Sequence, residues 1–304
     1  MATLLFLVGA CFIFYALFGY PLLLLLWGRV RPRPIARAPL FVPVTVLIPV
    51  RNGARYLREK LSSVFALRYP QDLLQVIVVS DGSTDESAAI AHGFPRVLVI
   101  ERPAAGKCAA LNAGMALATG EILFFTDVRQ PLDPDCLANL VACFSDPSVG
   151  VASGELVLVK GDHHEHANVG LYVRFEEWLR KRISAVGSVA GATGAAYAMR
   201  RSLAVPLPEN LLVDDVFQPV SAYFQGYRVI LDGSAIAYDF PNRVGDEFRR
   251  KVRTLAGLYQ IVGSFPRLFD PRNDIAFHFL SHKFARLLLP FAFLLVAVTS
   301  FGLP

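Results

Sequence analysis

The sequence predicts an α/β fold: a doubly wound, mostly parallel sheet with an N-terminal transmembrane helix and C-terminal interfacial or transmembrane helices. Three observations predict it. Short apolar, β-branched runs alternate with helical patterns between residues 44 and 144, residues 1–27 carry no charged side chain, and the chain turns apolar again from Leu287. The composition agrees: of 304 residues 54% are hydrophobic and 18% charged, with a mean hydropathy of +0.45. An ordinary soluble domain has about half apolar and about a quarter charged residues. Disordered, collagen-like and disulfide-scaffold chains are excluded, and the length accommodates about two domains.

Leu4 to Trp27 is an apolar run of 24 residues. At ~1.5 Å per residue it makes roughly 36 Å of helix, enough to cross a hydrocarbon core about 30 Å thick. A cleaved signal peptide would show a basic start, a shorter apolar core and a small-residue cleavage site, and none is present. Residues 1–28 therefore read as an uncleaved anchor. Arg29, Arg31, Arg33 and Arg37 follow without an acid in a Pro-rich tether over 29–42, which places the rest of the chain on the cytoplasmic side of a cell membrane.

The strand and helix elements come next. Val44 to Pro49 is a short buried strand, and Arg55 to Leu67 repeats Leu57, Leu61, Val64 and Phe65 at helical spacing. Leu74 to Ser80 is a second strand, and Ser83-Thr-Asp-Glu86 is a capping-box pattern opening a short helix to about His92. Val97 to Ile100, Gly106 to Ala118, Glu121 to Thr126 and Pro134 to Phe144 continue the alternation. Successive β-α-β steps imply parallel strands with ligands at their carboxyl ends. The expected division is an α/β domain over 43–242, interfacial amphipathic helices over 243–285 and a second apolar segment over 286–304. That last segment is short for a crossing, as in a truncated chain or one with a longer form.

Charge follows the same division. The net charge is +5 and the isoelectric point about 9.1. Residues 40–242 hold 17 basic and 21 acidic side chains, while 243–286 hold nine Lys/Arg against Asp246, Glu247, Asp270 and Asp274. The basic excess flanks the membrane segments, so membrane lipids, and not nucleic acid, are the expected partner.

The strand-end rule selects Pro49 to Asn52, Ser80 to Gly82 and Thr126-Asp127. Asp81 and Asp127 at neighbouring strand ends suit a base or ribose contact plus a divalent metal, or simply cap turns. No G-x-G-x-x-G follows a strand, and Gly106-Lys107 lacks the rest of a phosphate-binding loop. Cys11, Cys108, Cys136 and Cys143 form no C-x-x-C pair and read as reduced, small hydrophobes. His163-His-Glu-His166 lacks metalloprotease spacing and reads as a solvated loop.

Several of these segments together resemble family 2 glycosyltransferases of the GT-A fold. They are Val46-Leu-Ile-Pro-Val-Arg-Asn52, Val78-Val-Ser-Asp-Gly-Ser-Thr-Asp85, Gly106-Lys-Cys-Ala-Ala-Leu-Asn-Ala-Gly114 and Phe125-Thr-Asp127. Gly191-Ala-Thr-Gly-Ala-Ala-Tyr197, Val213-Asp-Asp215 and Arg250-Lys-Val-Arg253 continue the likeness in the family's order over about residues 43 to 255.

The resemblance implies inverting transfer of a sugar from a nucleotide-diphosphate donor to an acceptor hydroxyl. It implies that Asp81 contacts the nucleotide base, that Pro49 to Asn52 line the nucleoside pocket, and that Lys107 lies near the diphosphate. Asp127 matches the first carboxylate of the family's D-x-D metal motif, which implies Mg²⁺ or Mn²⁺. The second position is Arg129, which cannot ligate a metal. Either Asp127 holds the ion with the diphosphate and water, or Arg129 replaces part of its charge. By motif, Asp215 is the base that takes the acceptor proton and Asp214 its neighbour; read alone, either could cap a helix. Gly194 and Glu177 fall on the acceptor side, Glu177 in the amphipathic helix Phe175 to Arg182, whose glutamates otherwise read as salt-bridged surface.

Arg250 and Arg253 occupy the place of Q-x-x-R-W in processive synthases, with Arg253 matching the Arg that contacts the diphosphate. Thr254 replaces the Trp that stacks on an acceptor sugar, which points away from processive polymerisation. The same stretch also reads as an interfacial helix with Phe248, Val252, Leu255 and Tyr259 towards lipid. The expected activity is therefore transfer to a lipid-linked or membrane-proximal glycan. A processive polysaccharide synthase and a non-catalytic nucleotide-sugar-binding scaffold are the alternatives.

Overall fold

The computed structural model describes residues 1–160, 165–166, 171–240 and 244–302. Strands β1 Val44–Val50, β2 Leu74–Asp81, β3 Val97–Arg102 and β4 Ile122–Phe125 lie side by side in the order β3-β2-β1-β4, all parallel. Strands β5 Val149–Lys160, β6 Glu165–His166, β7 Tyr197–Arg200 and β8 Arg228–Asp239 complete a sheet of eight strands among the described residues. β7 is antiparallel to β4 and to β5, β6 is antiparallel to β5, and β8 is parallel to β5.

The strands of the first half are buried on both faces, which is why they read as unbroken apolar runs. Alternate residues face opposite ways. Leu47, Ile77 and Val79 pack in one core, while Val46, Ile48, Val76 and Val78 pack in the other with Leu57 and Leu61. Helices α1 Ala2–Val30, α2 Ala54–Phe65, α3 Ser87–His92, α4 Lys107–Ala116 and α5 Cys136–Ala142 precede β5. Helices α6 Leu171–Val186, α7 Asp214–Phe224, α8 Val244–Ser264 and α9 Asp274–Ser300 follow it. Pro49 sits beyond the last β1–β4 pair, Leu47 with Phe125, so its missing N–H costs the sheet nothing on that side.

The capping box expected at Ser83 to Glu86 does not form. α3 starts at Ser87, and Asp85 supplies the acceptor instead, taking the Ser87 N–H at 3.0 Å and the Ala54 N–H at 2.9 Å. Asp85 is drawn towards α2 because this loop and the one after β1 are laced together. The Thr84 N–H donates to Asn52 Oδ1 at 2.8 Å, and the Gly53 N–H donates to Ser87 Oγ at 2.9 Å. Asn52 has φ 51°, a left-handed conformation that Asn tolerates better than most residues.

α1 and α9 are long and apolar enough to cross a membrane. They pack closely: a Cβ on Gly9 would lie 2.8 Å from Val296. Tyr15 and Tyr20 of α1 hydrogen-bond Ser281 and His278 of α9 at 2.7 and 3.0 Å. Tyr20 and Leu24 are fully buried in the same core as β1 and β4, so the second half of α1 is docked on the sheet domain. A π-helical turn over Tyr15–Gly19 precedes Pro21, which cannot donate to the helix ladder. α9 is a single helix through Asp274–Ser300 and runs from the polar stretch before residue 285 into the apolar stretch after it. All four cysteines are free, with Cys108, Cys136 and Cys143 buried.

Candidate active site

The carboxyl ends of β2 and β4 and the N-terminus of α7 meet at one cation. Asp81 closes β2 with its carboxylate buried. Its Oδ1 accepts the Ala105 N–H at 2.9 Å and its Oδ2 accepts the Gly106 N–H at 2.7 Å. Both bonds fix the turn that opens α4, and α4 begins with Lys107. Lys107 Nζ donates to Asp127 Oδ1 at 2.9 Å and to Asp214 Oδ1 at 3.1 Å. Burial works against that ammonium, but Asp127, Asp214 and Asp215 outweigh it and hold Lys107 above the ordinary lysine range.

Asp127 is aimed from below. Lys60 is fully buried and donates to Thr126 Oγ1 at 2.5 Å and to the Gln130 carbonyl at 2.6 Å. Thr126 in turn donates to the Ala195 carbonyl at 2.6 Å, tying the loop after β4 to residues 191–197. Burial pushes the Lys60 ammonium down to about 7. Lys60 lay inside an ordinary amphipathic helix pattern, and no sequence signal set it apart.

Asp214 and Asp215 form the first turn of α7, where the helix dipole favours negative charge. Neither caps the helix: the N-cap is Val213, with no side-chain cap bond. Asp214 is buried and paired with Lys107. Burial and the neighbouring Asp214 push the Asp215 carboxyl up to about 6, against the pull of Lys107. Asp215 and Asp127 face each other across Gly194. A Cβ there would lie 3.4 Å from Asp127 Oδ2 and 3.4 Å from Asp215 Oδ2. Tyr197 stacks on Phe125 at 4.6 Å to floor this site.

The match to known families decides what this arrangement belongs to. The model for glycosyl transferase family 2 matches residues 45–204, and that for glycosyl transferase family group 2 matches residues 129–303.

The chain belongs to glycosyl transferase family 2.

Among solved structures, the mannosyltransferase PcManGT from Pyrobaculum calidifontis, in complex with GDP-Man and Mn²⁺, is 26% identical with a TM-score of 0.81. The alignment covers 98% of this chain and 86% of that one. A probable glycosyltransferase, YdaM of Bacillus subtilis (strain 168), is 27% identical over 216 residues, covering 64% of this chain and 50% of the relative. The poly-beta-1,6-N-acetyl-D-glucosamine synthase of Staphylococcus epidermidis is 21% identical over 238 residues, covering 72% of this chain and 55% of the relative. The chain thus spans about half the length of these two curated relatives.

In this family 2 member, Arg129 is turned away from Asp127. It pairs with the buried Asp239 at 2.8 Å and donates to the Phe240 carbonyl at 2.6 Å. Among the described residues no group of three His, Cys, Asp or Glu side chains is gathered to hold a metal. Asp127 uses Oδ1 for Lys107 and presents Oδ2 beside Gly194 on a carboxylate that is 37% exposed. One hard oxygen at an open edge fits Mg²⁺ or Mn²⁺ completing its shell from a diphosphate and water, and does not fit a closed site of soft ligands.

The remaining expected residues are dispersed. Asn52 lies at the loop after β1, with its side chain accepting from Thr84. Arg250 and Arg253 are exposed on α8, and among the described residues no contact joins Arg253 to the carboxylates. α8 touches the site's frame further along: a Cβ on Gly257 would lie 2.6 Å from Val213, and Gln260 accepts the Leu212 N–H at 2.9 Å. Glu177 is half-buried, and burial together with Glu155 raises its carboxyl. Its neighbour Glu176 makes the ion pairs, with Arg286 at 2.6 Å and His282 at 3.1 Å. Residues 163 and 164 lie outside the described residues, and so does the side chain of His166.

Proposed function

We propose that the chain is an inverting glycosyltransferase that moves a sugar from a nucleotide-diphosphate donor to a hydroxyl of a lipid-linked or membrane-proximal glycan. The observation that carries this reading is the Lys107 bridge between Asp127 and Asp214 with Asp215 pushed up to about 6 beside it. Negative charge grows on the diphosphate as its bond to the anomeric carbon breaks, and Lys107 is a preorganised cation for that charge. Asp215 takes the acceptor proton as the hydroxyl attacks from the opposite face, and a carboxyl near 6 is ionised yet still basic at neutral pH. Asp214 keeps the Lys107 ammonium in place.

Asp127 would hold the divalent cation, which when bound neutralises the leaving diphosphate. Asp81 and the Pro49 to Asn52 backbone serve the nucleoside. Gly194 leaves the room between Asp127 and Asp215 that a sugar needs. Glu177 borders the acceptor. The GDP-Man and Mn²⁺ in the 26% identical mannosyltransferase support this donor and metal class.

The proposed division is an anchor over 1–28, a tether over 29–42, the catalytic domain over 43–242, interfacial helices over 243–285 and a second span over 286–304. Phe248, Val252, Leu255 and Tyr259 are 69%, 50%, 40% and 64% exposed along α8, beside the exposed Arg249, Arg250 and Arg253. That pattern supports a helix lying at the lipid headgroups of the cytoplasmic face of the cell membrane.

A processive polysaccharide synthase is the second reading, favoured by the Staphylococcus epidermidis synthase among the relatives. Thr254 in place of the stacking Trp favours single transfer. The test is a panel of nucleotide sugars incubated with the full chain, assayed for nucleoside diphosphate release with and without membrane lipid. One sugar donor turned over in a lipid-stimulated manner with a single added residue supports the proposal. Long polymer products support the synthase.

A further inference from the structure

Among the described residues, two cations beside Asp215, Arg180 and Lys283, make no ion pair. Lys283, from the polar start of α9, brings Nζ to 3.4 Å from where a Cβ on Gly191 would stand, and Asp215 O lies 3.5 Å from the same point. Gly191 has φ +141°, and a side chain there would press on Val216 at 3.1 Å, so the backbone is kept bare under the ammonium. Among the described residues Lys283 makes no hydrogen bond and no ion pair. Arg180 of α6 donates through Nη1 to Thr193 Oγ1 at 3.1 Å, and its Nη2 is buried with no hydrogen-bond partner among the described residues. Thr193 and Gly191 bracket Ala192, whose N–H donates to the Asp215 carbonyl at 2.7 Å. Both cations thus look onto one short segment beside Asp215.

The other acids nearby are already matched. Glu176 is held by Arg286 and His282, and Glu155 by Lys181 at 2.9 Å. Among the described residues that leaves Asp215 and Glu177 as the unmatched acids acting on Arg180, and Asp215 as the one acting on Lys283. Half-buried cations without a full counter-charge, one with an orphaned buried N–H, are costly unless a ligand completes them.

We propose that Arg180 and Lys283 form an acceptor-side anion site that takes a phosphate group carried by the lipid-linked acceptor, next to the hydroxyl that Asp215 deprotonates. The proposal rests on the glycosyltransferase reading above and adds to it the chemical class of the acceptor. A planar guanidinium and a compact ammonium from two different helices suit the several oxygens of a phosphate. Lys283 stands where α9 passes into its apolar stretch, so an anion bound there is at the mouth of a membrane helix. That position favours a phosphate borne on a lipid.

The test uses the full chain in phosphatidylcholine nanodiscs, with dodecyl phosphate, dodecanol and inorganic phosphate as probes and equilibrium binding as the readout. Dodecyl phosphate is expected to bind about ten-fold or more tightly than dodecanol. Lys283→Met and Arg180→Gln should each bring the two probes to within about two-fold of each other, while Lys283→Arg keeps most of the preference. Nucleoside diphosphate binding with Mn²⁺ should be unchanged in all three variants, which also reports that they fold.

Equal binding of dodecyl phosphate and dodecanol to the wild-type chain would overturn the site. Loss of nucleoside diphosphate binding in charge-removing variants that keep the wild-type melting temperature would assign the cations to the donor instead. Inorganic phosphate competing as well as the alkyl phosphate would overturn the lipid-borne source. A phosphate preference in a chain that binds no nucleoside diphosphate would contradict the glycosyltransferase reading, and the acceptor assignment with it.

Discussion

Lys107 Nζ stands 3.1 Å from Asp214 Oδ1, and the same nitrogen holds Asp127 Oδ1 at 2.9 Å. One ammonium therefore joins the end of β4, the start of α4 and the start of α7. Its own direction is set by Asp81 through two backbone N–H groups. The proposed donor side and base side of the site are coupled electrostatically through this charge.

Replacing Lys107 should disturb both sides. Lys107→Met is expected to lower kcat by about 10²- to 10³-fold, as loss of one preorganised charge does. Steady-state kinetics on the turned-over donor check this. A kcat within about two-fold of wild type would remove Lys107 from the leaving-group side.

The pH profile follows from Asp215. Its carboxyl is pushed up to about 6 by burial and by Asp214, and a general base must be ionised. kcat/KM should therefore rise with pH through about 6 and level off above it. Lys107 pulls that carboxyl down, so the same limb in Lys107→Met should move to higher pH. A limb that stays in place when Lys107 is removed would separate the two residues.

Gly194→Ala adds one methyl group at ordinary contact distance, 3.4 Å from both Asp127 Oδ2 and Asp215 Oδ2. The melting temperature should be unchanged. Transfer should fall by an order of magnitude or more, about 10-fold to 100-fold, because the methyl occupies the space between the two carboxylates. An unaltered rate would place the reacting sugar elsewhere.

How far the sequence could be read depended on burial and on contact range. β1 and β2 were legible because strands covered on both faces are continuous apolar runs, and their carboxyl ends carry Asp81 directly. β5 and β8 were not assigned. β5 holds Gly150, Ser153 and Gly154, β8 holds Gly233 and Ser234, and their pairing shifts register after Ser153, so neither shows a clean period. Asp127, Asp214 and Lys107 were found from motif order, yet their mutual contact was not readable, since it arises from three elements packing together. Lys283 reads as part of a basic collar in the sequence. Only the packing of α9 against the Gly191 segment brings it to Asp215.

Arg129 and the metal separate by two measurements. Arg129→Gln takes the guanidinium partner from Asp239, which is 1% exposed, and should cost about 3 kcal/mol of stability. Donor binding by the folded protein should persist. A variant that keeps its melting temperature but loses the donor would instead make Arg129 a substitute for metal charge.

Chelation is the complementary measurement. Asp127 offers a hard oxygen on a partly exposed carboxylate, so EDTA should abolish transfer, and Mn²⁺ or Mg²⁺ should restore it. Full activity in chelator would contradict the assignment of Asp127 as a metal ligand.

In the proposed mechanism Asp215 performs the proton transfer, in a site whose donor side stands without it. The most direct measurement pairs donor binding with sugar transfer in Asp215→Asn, using the donor identified by the panel. The expected result is a folded variant that binds the nucleotide sugar with near wild-type affinity and transfers nothing. Near-normal transfer by Asp215→Asn would contradict it.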